Sequence, residues 1–337
     1  MTGTSPNALA RTVRQFFSTY LPSVHGVSRH TIDSYRYAVI LLLRFLATRR
    51  RRSVAVLDLA DIEAEDVIAF LDDLEQTRHN TVATRNVRLA ALHAFFRYAA
   101  AHEPEQVARS QRILHIPFKR GEQRTIDYLE YVEIQAVLEA VDRSTAAGRR
   151  DYALLATMFN TGARVQEILD LRPCDLHLDK PFQVRLFGKG RKERVCPLWP
   201  QTATLLRELC AERQLDVRAA LPIFVNQRRQ PLSRFGVCYI LAKYLKRAQA
   251  TVPSLQGKRL HPHSMRHSTA VHLLKSGVDL STIGQWLGHA SLNTTNKYAT
   301  IDLDLKRQAL AQADSPATES LVGWRHDATI LEWLESL

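Results

Sequence analysis

The stretch QVRLFGKGRKERVCPL, residues 183–198, separates two kinds of structure in this chain. Residues 183–187 and 194–198 are strand-like, and Gly188-Lys189-Gly190-Arg191-Lys192 joins them as a hairpin with Lys189 at its tip. Around it the patterns are helical. Helices are predicted at 129–141, 150–160 and 165–171 before the hairpin. After it they are predicted at 202–213, 233–247 and 263–275, the last ended by Gly277. Short helices follow at 281–287 and 292–299. Residues 125–313 therefore read as a mixed α+β domain with a small antiparallel β-hairpin or sheet.

The first hundred residues read differently. Four helical patterns cover 8–20, from a Ser28 cap to about 49, 64–76 and 81–101. Phe16, Phe17 and Tyr20 recur at helical spacing, as do Leu89, Leu92, Phe95, Phe96 and Ala99, and these stripes predict a compact four-helix domain over 1–103. Residues 104–124 carry Pro104, Pro117 and Gly121 among Lys119, Arg120 and Arg124, and read as a basic linker that lets two domains close around a duplex. The expected fold is mostly α, in two domains. One more helix is expected over 303–313. The tail, 314–337, ends with Ile330, Trp333, Leu334 and Leu337 on one face, suited to docking on its own domain or on a neighbouring protomer.

The chain has 337 residues, 45% of them hydrophobic and 24% charged, which suits a globular protein with buried cores. No apolar run is long enough for a membrane span, and the first 20 residues lack a signal-peptide core. The four cysteines, Cys174, Cys196, Cys210 and Cys238, form no CxxC pair, so neither a zinc ribbon nor a disulfide framework is expected, and a reducing cytoplasm fits. Lysines and arginines exceed acids by 46 − 34 = 12, which points to a polyanionic partner, most often nucleic acid. The excess is uneven: residues 1–57 hold nine arginines, with the run Arg49-Arg50-Arg51-Arg52, against the single acid Asp33.

Nucleotide-hydrolysing machinery is not visible: there is no GxxxxGK[ST] loop, no GxGxxG after a strand, and no GxSxG elbow. What stands out is a scatter of cationic and imidazole residues near glycines. Arg164 follows the turn Thr161-Gly162-Ala163. His263 and Arg266 lie one helical turn apart, and His289 follows Gly288 with Tyr298 nine residues later. His263 and His267, with His289, raise the question of zinc, but no acidic or cysteine ligand pairs with them and Arg266 would repel a cation, so no metal is expected.

Taken together, Thr161 to Glu167, Gly188 to Arg194, His261 to Ser268, and Leu287-Gly288-His289 followed by Tyr298 closely resemble the tyrosine recombinases, or phage-integrase family, in its Xer-like and transposon-borne branch. The resemblance covers about 8–313, with the helices near 28–46 and 81–98 similar to that family's DNA-clamping, SAM-like domain. It implies Tyr298 as nucleophile, Arg164 and Arg266 as phosphate clamp, Lys189 as general acid, and His263 and His289 as acid–base or hydrogen-bonding groups. Glu167 is implied to orient Arg164 from behind. Gln166 departs from the serine common there, at a position without a catalytic role.

These implied roles make chemical sense. Guanidinium forks match the equatorial oxygens of a phosphodiester, so two arginines and a histidine stabilise its transition state without a metal or other cofactor. Nearby cations are expected to help Tyr298 ionise. Attack gives a 3′-phosphotyrosine and a free 5′-hydroxyl, and one ester replaces another, so no ATP is needed. Arg49, Arg50, Arg51, Arg52, Arg85, Lys119, Arg120, Arg191, Lys192 and Arg194 are expected on DNA phosphates, with Arg228, Arg229, Lys246 and Arg247 further candidates. The implied partners are duplex DNA with paired recombination sites, further protomers in a tetramer, and a second recombinase or accessory protein. The implied place is the bacterial cytoplasm, at the nucleoid. A type IB topoisomerase, a telomere-resolving enzyme and a catalytically inert DNA-binding regulator share parts of this pattern.

Overall fold

The computed structural model describes residues 7–121, 127–188, 192–216, 220–289, 295 and 298. The chain divides into two compact units, Met1–Arg124 and Thr125–Leu337. Lys189, Arg191, the expected helix over 303–313 and the tail lie outside the described residues, as does most of 292–299. Among the described residues, no helix is long and apolar enough to cross a membrane.

In the N-terminal unit the expected helices are α1 (Ala8–Gln15), α2 (Arg29–Arg50), α3 (Ala64–Gln76) and α4 (Val82–His102). The Ser28 and Thr81 hydroxyls accept from the backbone N–H groups of Thr31 and Thr84, which starts α2 and α4 where those residues stand in the sequence. The first helix departs from expectation. Beyond Gln15 the backbone widens into a π-helix over Phe16–Val24, and His25 N–H donates to the Tyr20 carbonyl five residues back at 2.8 Å. Pro22 lies inside it and has no N–H for a regular ladder. Phe16 is fully buried and meets the rings of Phe95 and Tyr98 at 5.4 and 5.3 Å.

The expected linker needs correction. Residues 104–124 contain a further helix, α5 (Val107–Leu114), whose Ile113 joins Ile116 in the buried core of this unit. Pro104 stands at the start of a helical turn, where a proline fits, and Pro117 follows the helix, so the two prolines bracket a helix instead of breaking one. Replacing Ile113 with alanine is expected to cost about 2–5 kcal/mol, read as a lower urea midpoint for this unit's transition. An unchanged midpoint would show that α5 is dispensable.

The C-terminal unit contains α6 (Tyr131–Glu139), α7 (Ala146–Thr161), α8 (Val165–Leu169), strands β1 (Leu176–His177), β2 (Gln183–Phe187) and β3 (Glu193–Pro197), then α9 (Pro200–Glu212), α10 (Arg234–Ala248), α11 (Pro262–Lys275) and α12 (Leu280–Leu287). The sheet is antiparallel in the order β1-β2-β3, the short β1 being an addition to the expected hairpin. Val184 pairs with Cys196 and Leu186 with Arg194, and Val184, Leu186 and Cys196 are buried in the domain core, so the period-2 pattern puts one face inward. Gly188 N–H closes the ladder on the Lys192 carbonyl at 2.8 Å.

Two glycines bring the site elements together. Gly162 ends α7 and Gly288 ends α12, both in the left-handed region at φ 58° and 65°. A Cβ on Gly162 would stand 2.5 Å from Leu287 Cδ2, so the two helix ends approach more closely than any side chain allows.

Candidate active site

Arg266 lies at the junction of those helix ends. It projects from α11, is 1% exposed, and donates from Nη1 to the Gly162 carbonyl at 2.8 Å and from Nη2 to the Leu287 carbonyl at 2.6 Å. Both acceptors belong to helix C-termini, where the orphan carbonyls carry partial negative charge. One buried cation therefore ties α11 to α7 and α12. Burial, with Arg164 and Arg194 nearby, lowers its pKa to about 10, still charged at neutral pH.

Arg164 begins α8 directly after the Gly162 turn. Its backbone N–H and its Nη1 each donate to Glu167, both at 2.8 Å, and Nη2 reaches the Gly288 carbonyl at 3.3 Å. Glu167 is also held at 2.7 Å by Nη2 of Arg194, whose Nε donates to the Trp286 carbonyl at 2.9 Å. Burial pushes the Glu167 carboxyl up, but Arg194 and Arg164 outweigh it and hold the group below its ordinary range. Arg164 keeps about a third of its side chain exposed, whereas Glu167 and Arg194 are covered. Arg194 thus supports the carboxylate that orients Arg164. Its expected phosphate contact is corrected, because β3 points it at Glu167.

Tyr298 is 2% exposed and packs with Ala270, Val271 and Leu274 of α11 and Ile283 and Leu287 of α12. Its hydroxyl lies 2.8 Å from Nδ1 of His267, and its ring is parallel to that of His289 with centroids 6.4 Å apart. His289 Nδ1 is 2.8 Å from the Thr295 hydroxyl. His263 meets His267 edge to face at 4.7 Å and lies parallel to His261 at 6.3 Å. Burial raises the Tyr298 pKa above its ordinary value, with Arg266 opposing. The expected assistance to ionisation is therefore outweighed by desolvation. Partial desolvation, with the field of Arg266, lowers the surface-facing His263 and the half-buried His289 to about 4, so both rings are neutral near pH 7.

The described residues thus bring together Arg164, Glu167, His263, Arg266, His289 and Tyr298, while Lys189 lies outside them. They hold no group of three or more His, Cys, Asp or Glu side chains fit for a metal ion. His267 joins this group without being expected there. Its signal in the sequence is its place beside Arg266 and one turn after His263, a spacing that suggests metal ligands as readily as a partner for a phenol.

Two family models match the chain, one in each unit. Residues 127–303 match the phage integrase family and residues 14–103 match the phage integrase N-terminal SAM-like domain. The chain belongs to the phage integrase family. This tyrosine recombinase is 41% identical over 330 residues to the "Putative integrase/recombinase y4rC" of Sinorhizobium fredii, covering 98% of each chain. It is 31% identical to the tyrosine recombinase XerC of Bacillus licheniformis, covering 87% of this chain and 92% of that one. Its fold resembles the XerH site-specific recombinase bound to a difH substrate, with TM-score 0.66 and 24% identity over 83% of this chain and 79% of that one. It also resembles the Tn1549 transposon integrase in complex with transposon right end DNA, with TM-score 0.67 and 16% identity over 90% of this chain and 99% of that one.

The basic residues expected on DNA sort into three groups. Arg51, Arg120, Lys192, Arg228, Arg229, Lys246 and Arg247 are exposed. Arg49, Arg52 and Lys119 are exposed but each has a carboxylate within 4 Å: Asp66 at 3.9 Å, Asp61 at 3.8 Å and Glu75 at 2.8 Å. Two expectations are corrected in the recombinase. Arg50 is bound to Asp66 at 2.6 Å and to Asp61 at 3.4 Å, and Arg85 is buried with Glu75 3.9 Å away. Folding brings carboxylates of α3 and its approach to these arginines, and they brace the N-terminal unit.

Glu167→Ala removes the partner of a covered guanidinium and is expected to destabilise the C-terminal unit by about 3–5 kcal/mol in urea unfolding; a loss below about 1 kcal/mol would contradict the support role given to Arg194. The neutral imidazoles predict an acid dependence. An unfolded histidine takes a proton near 6.5, whereas folded His263 and His289 resist until about 4, so their contribution is complete above about pH 6.5 and is lost as pH falls toward 4. The thermal midpoint is expected to drop across that window less in a His263→Asn/His289→Asn double variant than in the wild type. Equal drops would count against the shifted values.

Proposed function

We propose that this recombinase cuts and rejoins DNA strands at specific sites through a covalent 3′-phosphotyrosine on Tyr298. The observation that carries the reading is the Tyr298 hydroxyl held by an imidazole beside the Arg266 junction, with its ring parallel to that of His289 at 6.4 Å. In cleavage the phenolic oxygen bonds to phosphorus, the bond from phosphorus to the 5′-oxygen breaks, and the phenolic proton leaves to a base. Lys189 supplies the proton that the departing 5′-oxygen needs. Arg164, the accessible guanidinium, meets the nonbridging oxygens. Arg266 adds fixed positive charge, since a guanidinium has five N–H donors and its two carbonyl partners leave others for the phosphate. His263 and His289, neutral at working pH, donate hydrogen bonds without adding charge.

Rejoining reverses these steps with a 5′-hydroxyl from a partner strand. Ester replaces ester, so energy is conserved without ATP. Exchange between two sites needs four cuts, and four protomers on paired sites supply them, with an accessory protein or second recombinase as a further partner. The exposed arginines and lysines of both units contact phosphates, and affinity falls steeply with salt. A substrate of this kind places the work at the bacterial nucleoid, in the cytoplasm.

The test uses nicked duplexes drawn from DNA flanking the gene, cut so that the 5′-hydroxyl fragment diffuses away. A denaturant-resistant protein–DNA adduct is expected from wild type in the presence of chelator and none from Tyr298→Phe. Arg164→Ala is expected to slow its formation by about 10²–10³-fold. Tight binding with no adduct from wild type would overturn the reading in favour of an inert DNA-binding regulator.

A further inference from the structure

The phenolic proton needs a destination, and His263 is the histidine that the sequence motif offers. The geometry points elsewhere. We propose that His267 is the general base that takes the proton of Tyr298 in cleavage and returns it in rejoining. This rests on Tyr298 being the nucleophile.

Among the described residues, His267 is the side chain bonded to the Tyr298 hydroxyl, at 2.8 Å from Nδ1. That distance is within the reach required of a general base. In the tautomer with its proton on Nε2, Nδ1 carries the lone pair that faces the phenol. The other bases nearby are engaged or turned away. His289 gives Nδ1 to Thr295 and lies parallel to the tyrosine ring, so its ring plane does not aim at the hydroxyl. His263 touches the imidazole of His267 rather than the phenol. Glu167 already accepts from two arginines and a backbone N–H. Tyr298 is 2% exposed, so bulk water has little access to its proton.

The step balances. The O–H bond of Tyr298 breaks toward His267 Nδ1, the oxygen–phosphorus bond forms, and the 5′-oxygen leaves with a proton from Lys189. In rejoining, the imidazolium of His267 protonates the departing phenolate and Lys189 accepts the proton of the attacking 5′-hydroxyl. His267 is thus base in one direction and acid in the other, so its loss slows both.

The experiment measures single-turnover adduct formation on the nicked flanking-DNA duplexes that wild type cleaves. His267→Ala is expected to be slower by about 10²–10⁴-fold, and added imidazole is expected to restore part of that loss by filling the gap. His267→Asn, which keeps polarity and size but cannot accept the proton, is expected to be as slow and to gain nothing from imidazole. A second substrate carries sulfur at the bridging 5′ position, a leaving group that needs no acid. It is expected to rescue Lys189→Ala and leave His267→Ala slow. DNA binding and thermal midpoint measured on each variant separate loss of fold from loss of chemistry. A His267→Ala rate within about threefold of wild type overturns the proposal, as does a folded, DNA-binding variant that sulfur rescues or imidazole does not. Absence of a wild-type adduct, or an adduct that survives Tyr298→Phe, would instead overturn the assignment of Tyr298.

Discussion

The site depends on one buried guanidinium. Arg266 is almost fully covered, yet it has no carboxylate within bonding distance among the described residues; its charge is met by the carbonyls at the ends of α7 and α12. Burying a cation is costly unless hydrogen bonds replace its water. Here two helix C-termini do so, and the cost of separating them is the cost of stranding that charge. The left-handed glycines follow from the same constraint. Gly162 and Gly288 turn the chain at the carbonyls that Arg266 holds, and Gly162 lets Leu287 come into contact where a Cβ would block it. Arg164 and His289 emerge directly after those turns, so the arginine that fixes the helix ends also sets the spacing of the groups around it.

A cluster in which guanidiniums outnumber carboxylates is electrostatically unfavourable, and the surroundings show how the protein bears it. Glu167 pairs with both Arg164 and Arg194 and offsets one of their two charges, while His263 and His289 remain uncharged rather than add to the field. In the proposed reaction the substrate phosphate adds negative charge to this group of three guanidiniums and one carboxylate, so binding and preorganisation draw on the same imbalance. Tyr298 is buried among apolar side chains with its pKa raised, which keeps its phenol protonated. A phenol held this way needs a base at hydrogen-bond distance more than it needs a strong field.

Much of this is legible in the sequence. Turn glycines followed by Arg164 and His289, and an arginine one turn after His263, appear there as short strings, because local backbone rules govern them. The hairpin is legible for the same reason, as is the role of Ser28 and Thr81 in starting helices. Partnerships across the fold are not. Arg50, Arg85 and Arg194 look like any other basic residues until Asp66, Glu75 and Glu167 are brought beside them from other elements. Helix α5 is hidden because Pro104 and Pro117 frame it, and a proline at a helix start looks in sequence like one that breaks a helix. The pull of burial on Tyr298 is invisible because its packing partners lie on two other helices.

Tyr298, among the ten tyrosines of the chain, is the residue that carries the DNA during exchange in this account. Digesting a trapped protein–DNA adduct with nuclease and protease, then locating the residual nucleotide by tandem mass spectrometry, tests this directly. The account predicts a phosphodiester-linked nucleotide on the peptide that contains Tyr298, joined through its 3′ end. A nucleotide on any other side chain, or one joined through its 5′ end, would contradict it.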